Sequence, residues 1–260
     1  MLIRIPYQPT NLLTYQLNMI ELKEVTKYYG NKLAVDKLTL QIPQGKLFAF
    51  IGPNGAGKTT TVKMIAGLLQ PTSGEIIIDG KNMRQDSLDI KQMISYIPDQ
   101  PFLYEKLSGF EFLNFVAQMY KITPDDFNSQ VTHYLNLFQM NNYIDQLIEG
   151  YSLGMKQKLV IVTALIHNPS VIIVDEPLVG LDPANVKIVK EIFRQQVQKG
   201  TIIFMSTHIL SIAQEIADII GVIHQGKLIA QGTFSELQHN SNINLEDIFL
   251  SLCKENLATD

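Results

Sequence analysis

Two stretches near the start of the chain, Ile20-Glu21-Leu22-Lys23-Glu24-Val25 and Leu38-Thr39-Leu40-Gln41-Ile42, alternate apolar and polar side chains. A period of two predicts strands with one face buried and the other in water. Three further stretches, at 47–51, 171–174 and 201–205, are apolar at nearly every position. They predict strands buried on both faces, as in parallel sheets covered by helices. Residues 183–199, between the second and third of these runs, space their apolar side chains as a helix does, so parallel strands joined by crossover helices are expected.

Between the first and second runs, residues 110–120, 125–138 and 155–167 all show helical spacing. This predicts an inserted helical subdomain at about 100–168. In the tail, 239–260, Leu245, Ile248, Phe249 and Leu252 recur at helical intervals and predict a last helix packed on the core. Residues 1–18 show neither period, nor the charged start and sustained apolar stretch of a signal peptide. A loosely ordered extension is expected there, with regular structure beginning near Met19.

Composition changes this picture only by exclusion. An apolar share of 46 % with 18 % charged residues suits a globular chain and not a disordered one. The net charge of −4 offers no broad basic surface, so nucleic acid is not an expected partner. The single cysteine, Cys253, excludes an internal disulfide and a cysteine-based zinc site. The longest apolar run, 159–166, is far short of the ~20 residues that a membrane-spanning helix requires.

Candidate chemistry gathers at the ends of the three buried runs. After the first comes Gly52-Pro53-Asn54-Gly55-Ala56-Gly57-Lys58-Thr59-Thr60, a phosphate-loop pattern in the context it needs, after a strand and before a helix. Glycines let successive backbone N–H groups turn inward around phosphate oxygens, and the helix N-terminus adds partial positive charge. Lys58 contributes a cation and Thr59 a hydroxyl ligand for Mg2+. A dinucleotide loop is the nearest alternative, but Thr60 stands where its third glycine would be.

The second run delivers Asp175 and Glu176 to the same edge of the sheet. Adjacent side chains on an extended chain point to different sides, so Asp175 is assigned to the Mg2+ shell and Glu176 to the attacking water. The third run ends in Ser206 and Thr207 before His208, whose imidazole is placed to hold a γ-phosphate and a water in line. His133, His167, His224 and His239 have no such setting.

With these three elements in order, residues 19–238 resemble the nucleotide-binding subunits of ABC transporters. The most specific element of the resemblance is Tyr151-Ser152-Leu153-Gly154-Met155-Lys156-Gln157, at the place of the family's signature segment just before a helix. The resemblance implies an α/β P-loop NTPase of the ABC ATPase type, with a mostly parallel core sheet, an antiparallel β region and an inserted helical subdomain. It implies ATP and Mg2+ as ligands and ATP hydrolysis as the reaction. It also implies a second nucleotide-binding subunit, identical or not, whose ATP meets Ser152 and Gly154 of this chain, and integral-membrane permease subunits as partners. The protein would then sit peripherally on the cytoplasmic face of the membrane.

By the same resemblance Tyr29 stacks on adenine, with Tyr28 as the alternative, and Asp182 belongs to the loop that couples the two sites. Two departures stand out. Leu153 and Met155 replace a glycine and a glutamine of the usual signature, and Asp99 occupies the family's glutamine position, so either Asp99 joins the metal site or Gln100 moves in. Both look like a subgroup that drives export through separately encoded permeases. Phe102, Leu103, Tyr104 and Phe110 form either a dock for a membrane subunit or part of the core, and their exposure discriminates.

Overall fold

The computed structural model of the protein describes residues 19–178, 180–238 and 244–257. The expected extension at 1–18 lies outside the described residues, as do 239–243 of the tail. In chain order the elements are β1 (Met19–Tyr29), β2 (Lys32–Pro43), β3 (Leu47–Ile51), α1 (Lys58–Ile65), β4 (Ser73–Ile78), β5 (Lys81–Asn82), α2 (Ser87–Met93) and β6 (Ile94–Ile97). The helices α3 (Gly109–Met119), α4 (Pro124–Phe138) and α5 (Leu153–Leu165) follow, then β7 (Val171–Asp175), α6 (Pro183–Gln198), β8 (Ile202–Thr207) and α7 (Leu210–Ile216). The chain closes with β9 (Ile219–His224), β10 (Lys227–Gly232), α8 (Phe234–Gln238) and α9 (Leu245–Leu257).

Two sheets result. The larger runs β10-β9-β3-β8-β7-β6, with every pairing parallel except that of β9 with β10. The smaller runs β2-β1-β4-β5 and is antiparallel throughout. The continuous apolar runs are explained by what covers the larger sheet. Leu47, Ala49 and Ile51 of β3, Ile172 and Val174 of β7, and Ile203 and Met205 of β8 join the core shared with α3, α4 and α5. The alternate residues Phe48, Phe50, Val171, Ile173, Ile202 and Phe204 join a second core with the antiparallel sheet and α1. Period-two alternation thus sorts side chains between two oily faces, and no position needs to be polar.

The helices between β6 and β7 do not form a core of their own, because Phe112, Phe127, Phe138 and Leu159 share one apolar cluster with the sheet. α3 begins with a reciprocal cap in which the Ser108 hydroxyl accepts from the Glu111 N–H and the Glu111 carboxylate accepts from the Ser108 N–H. In α9, Leu245 and Ile248 are buried in the same large cluster. No helix among the described residues is long and apolar enough to cross a membrane.

Phe204 is the hub of the second core, with ring centroids 5.4 Å from both Phe48 and Phe50 and no solvent exposure. Phe204→Ala is expected to cost about 3–5 kcal/mol, as removal of a fully buried ring does. Urea unfolding measures it, and an unchanged midpoint would show that the second core contributes little.

Candidate active site

Strand order decides which loops meet. β3 lies beside β8, β8 beside β7, and β7 beside β6, all parallel, so the phosphate-loop pattern, His208, the acid pair and Asp99 all follow neighbouring strand ends at one edge. This is where open parallel sheets place their ligands.

The loop after β3 carries the backbone geometry that its glycines permit. Gly55 and Gly57 have φ of 79° and 108°, a region that residues with a Cβ rarely enter. A Cβ on Gly57 would lie 2.6 Å from the Ala34 carbonyl oxygen of β2, so the antiparallel sheet presses directly on the loop. Gly57 caps α1 with its backbone alone. The first turn of α1 therefore holds N–H groups that no upstream side chain satisfies, the usual condition of an anion site. Gly52 and Ala56 are buried, Pro53 and Thr60 are half-buried, and Asn54 and Thr59 are exposed.

Lys58 is only 7 % exposed, and its Nζ donates to the carbonyls of Gly52 at 2.7 Å and Pro53 at 3.1 Å. Burial pulls its pKa below the ordinary lysine value, while the charges of Glu176 and Asp175 pull it back up. The ammonium is thus curled over the loop, facing two acids without a direct ion pair to either.

Asp175 ends β7 and is 1 % exposed. One carboxylate oxygen, Oδ1, accepts from the Ser206 hydroxyl and, at 3.4 Å, from Thr59 Oγ1. The other, Oδ2, is buried without a hydrogen-bond partner. A buried acceptor left bare is costly unless a ligand completes it, and a carboxylate oxygen beside a threonine hydroxyl is the donor set that Mg2+ takes. The residues present fit that ion.

Glu176 departs from the sequence expectation in its backbone. Its φ is 51°, in the left-handed region, so the two acids diverge because the chain kinks at Glu176, not because an extended strand alternates. A glutamate held there carries strain of roughly 1–3 kcal/mol. Its N–H donates to the Ser206 carbonyl at 3.1 Å. Its carboxylate accepts from His208 Nδ1 at 2.7 Å and Thr207 Oγ1 at 3.4 Å. Because a carboxylate only accepts, His208 Nδ1 carries the hydrogen, and Nε2 is the ring atom left for another partner. Thr207 also accepts from the Ile209 N–H at 3.0 Å, which fixes the turn that carries His208.

Other expected site residues are placed without direct contacts to this group. Asp99 is exposed, two residues beyond β6. Its neighbour Tyr96 has a hydroxyl pKa pushed up to about 12, chiefly by burial and further by the charges of Asp175 and Asp99. Tyr29 ends β1 and is 48 % exposed, so it is not a core residue, and Lys27 Nζ lies 5.5 Å from its ring centroid. Ser152 caps α5, its hydroxyl accepting from the Met155 N–H at 3.3 Å. The helix starts at Leu153, earlier than the expected 155, so Gly154 lies inside its first turn and not before it. A Cβ on Gly154 would meet the Gly180 carbonyl at 3.1 Å, and Gln157 Nε2 donates to the Pro177 carbonyl at 3.0 Å. The signature segment is thereby strapped to the loop that follows Glu176. Among the described residues, no hydrogen bond links Ser152 or Gly154 to Lys58, Asp175 or Glu176. Asp182 caps α6 through the Asn185 N–H at 2.9 Å, and that bond holds its carboxyl below the usual aspartate range.

The ABC transporter family profile matches residues 35–179, which span the phosphate loop, the signature segment and the acid pair. The chain belongs to the ABC transporter family. It is 37 % identical over 229 residues to the bacitracin transport ATP-binding protein BcrA of Bacillus licheniformis, covering 88 % of this chain and 74 % of that one. It is 36 % identical over 231 residues to the lantibiotic transport ATP-binding protein SrtF of Streptococcus pyogenes, covering 89 % and 96 %. A solved ATP-binding subunit of an ABC transporter superposes with a TM-score of 0.87 at 32 % identity, covering 90 % of this chain and 99 % of that one. The fold is that of an ABC ATPase, and the chain is an ATP-binding transporter subunit, a type that binds nucleotide and works with membrane permeases.

Within that ABC subunit, sequence reasoning missed Ser206 and Thr207 as contacts of the acids. They are ordinary hydroxyls at the end of an apolar strand, and only the register of β8 against β7, which pairs Ser206 with Asp175, brings them into play.

Proposed function

We propose that this ABC subunit hydrolyses ATP as a dimer and drives export through separately encoded permease subunits, from the cytoplasmic face of the membrane. The observation that carries the proposal is the 2.7 Å contact between His208 and Glu176 at the sheet edge shared with Lys58 and Asp175. In this mechanism Lys58 and the loop's N–H groups bind the β- and γ-phosphates. Thr59 and Asp175 would hold Mg2+, which would neutralise phosphate charge, with Asp99 or Gln100 beside them. Glu176 accepts a proton from the attacking water, and His208 orients the water and the γ-phosphate. His208 and Thr207 occupy both Glu176 oxygens, so engagement of His208 with phosphate would release the base.

Tyr29 offers an exposed ring for adenine, and Tyr28, 45 % exposed, remains the alternative. Ser152 and Gly154 serve the ATP held by the second subunit; among the described residues neither hydrogen-bonds to the phosphate loop of its own chain, which supports that assignment. Asp182, at the head of α6 beside Gly180, couples the two sites. Phe102 at 82 %, Tyr104 at 52 % and Phe110 at 42 % exposure, with Leu103 partly buried on the core, support a dock for a permease. Export is favoured by the Asp99, Leu153 and Met155 departures, together with relatives named for bacitracin and lantibiotic transport.

Phosphate release from Mg2+-ATP by the purified chain tests this reading. The rate per chain is expected to climb with protein concentration as dimers form, then to saturate. A rate independent of concentration would contradict the dimer, and no release, even with a co-purified membrane protein, would contradict hydrolysis.

A further inference from the structure

β7 and β8 are parallel, with Asp175 in register with Ser206. Both residues are almost wholly buried, Asp175 at 1 % and Ser206 at 0 % exposure. Counting back along β8, Ser206 lies on the same face as Ile202 and Phe204, and Asp175 on the same face as Val171 and Ile173. The hydroxyl therefore meets the carboxylate directly across the ladder. Ser206 is the one polar group that this face of the two strands spends on the acid, and it touches both acids at once: its hydroxyl donates to Asp175 Oδ1 and its carbonyl accepts from the Glu176 N–H.

We infer that Ser206 is a positioning residue for the metal step, holding Asp175 by one oxygen so that the other is kept for Mg2+ or its bound water. This rests on the proposed role of Asp175. An isolated carboxylate rotates about its last torsion and presents its two oxygens interchangeably. Two donors on Oδ1, Ser206 and Thr59, remove that equivalence and leave Oδ2 buried and bare. If Thr59 were to ligate the ion instead, Ser206 alone of these two donors would be left to hold the carboxylate in place. Hydrogen bonds behind a ligating carboxylate fix its direction and its basicity, and their loss typically weakens metal binding by roughly 10–100-fold.

The alternative is that Ser206 is merely a satisfied buried serine, and the two roles separate experimentally. ATP affinity is measured in EDTA, and Mn2+ affinity of the chain–ATP complex by electron paramagnetic resonance, for the wild type, Ser206→Ala, Ser206→Cys and Asp175→Asn. Ser206→Ala is expected to keep its ATP affinity in EDTA and to lose roughly 10–100-fold in Mn2+ affinity. Ser206→Cys, close in volume with a weaker donor, is expected to fall between Ala and wild type, and it carries the test if the alanine variant does not fold. Mn2+ affinity unchanged from wild type in either variant, with or without a lower melting temperature, overturns the inference. A wild type that binds no ATP in EDTA, or Asp175→Asn with full Mn2+ affinity, would instead overturn the site reading on which it rests.

Discussion

Replacement of Glu176 by Gln is expected to slow ATP turnover by roughly 10²–10⁴-fold, the usual contribution of a general base, while nucleotide binding persists. The amide is nearly the same size, so the kinked backbone at φ 51° and the N–H bond to the Ser206 carbonyl are unaffected. What disappears is an acceptor able to take a proton from water. The contact with His208 Nδ1 at 2.7 Å survives, because the amide oxygen accepts the same hydrogen. With hydrolysis blocked and phosphate binding intact, the closed dimer is expected to accumulate under ATP, visible as a shift on size exclusion. Turnover at the wild-type rate would remove Glu176 from the chemistry.

Lys58→Ala is expected to act on the other half of the site and weaken ATP binding by about 2–5 kcal/mol, the cost of deleting one partner from a buried charged contact. That corresponds to roughly 30-fold to several thousand-fold in Kd. Lys58 is buried, its pKa is depressed by burial, and its present partners are two loop carbonyls. A cation held in so dry a place is stabilised by an arriving polyphosphate far more than an exposed lysine would be. Its removal leaves Asp175 and Glu176 without the nearby positive charge that offsets phosphate repulsion. Calorimetry or a fluorescent ATP analogue measures the loss, and unchanged affinity would contradict the phosphate cradle.

The parts of the fold legible in the sequence are those whose pattern does not depend on the partner strand. β3, β7 and β8 could be read because burial on both faces makes their positions apolar up to the C-terminal ends of β7 and β8. The helix over Pro183–Gln198 could be read because one face alone is oily. β6 spans only four residues and follows α2 without a turn signal. In β9, Gly221 interrupts the apolar run because a Cβ there would strike the Phe48 ring at 2.5 Å, so the reason for its glycine lies on another strand. The proposed site follows the same rule. Lys58, Asp175, Glu176 and His208 announce themselves by local motif, whereas Ser206 acquires meaning only through its register with Asp175. The left-handed turn at Glu176 had no signal at all, since glycine or asparagine would ordinarily mark it.

The most direct measurement is a structure of the Glu176→Gln variant with Mg2+-ATP. Two copies are predicted, each with the triphosphate on Lys58 and the loop N–H groups, Mg2+ by Thr59 and Asp175, His208 on the γ-phosphate, and Ser152 and Gly154 contributed by the opposite copy. ATP bound elsewhere, or bound to the loop with Asp175, residue 176 and His208 turned away from it, would contradict the account.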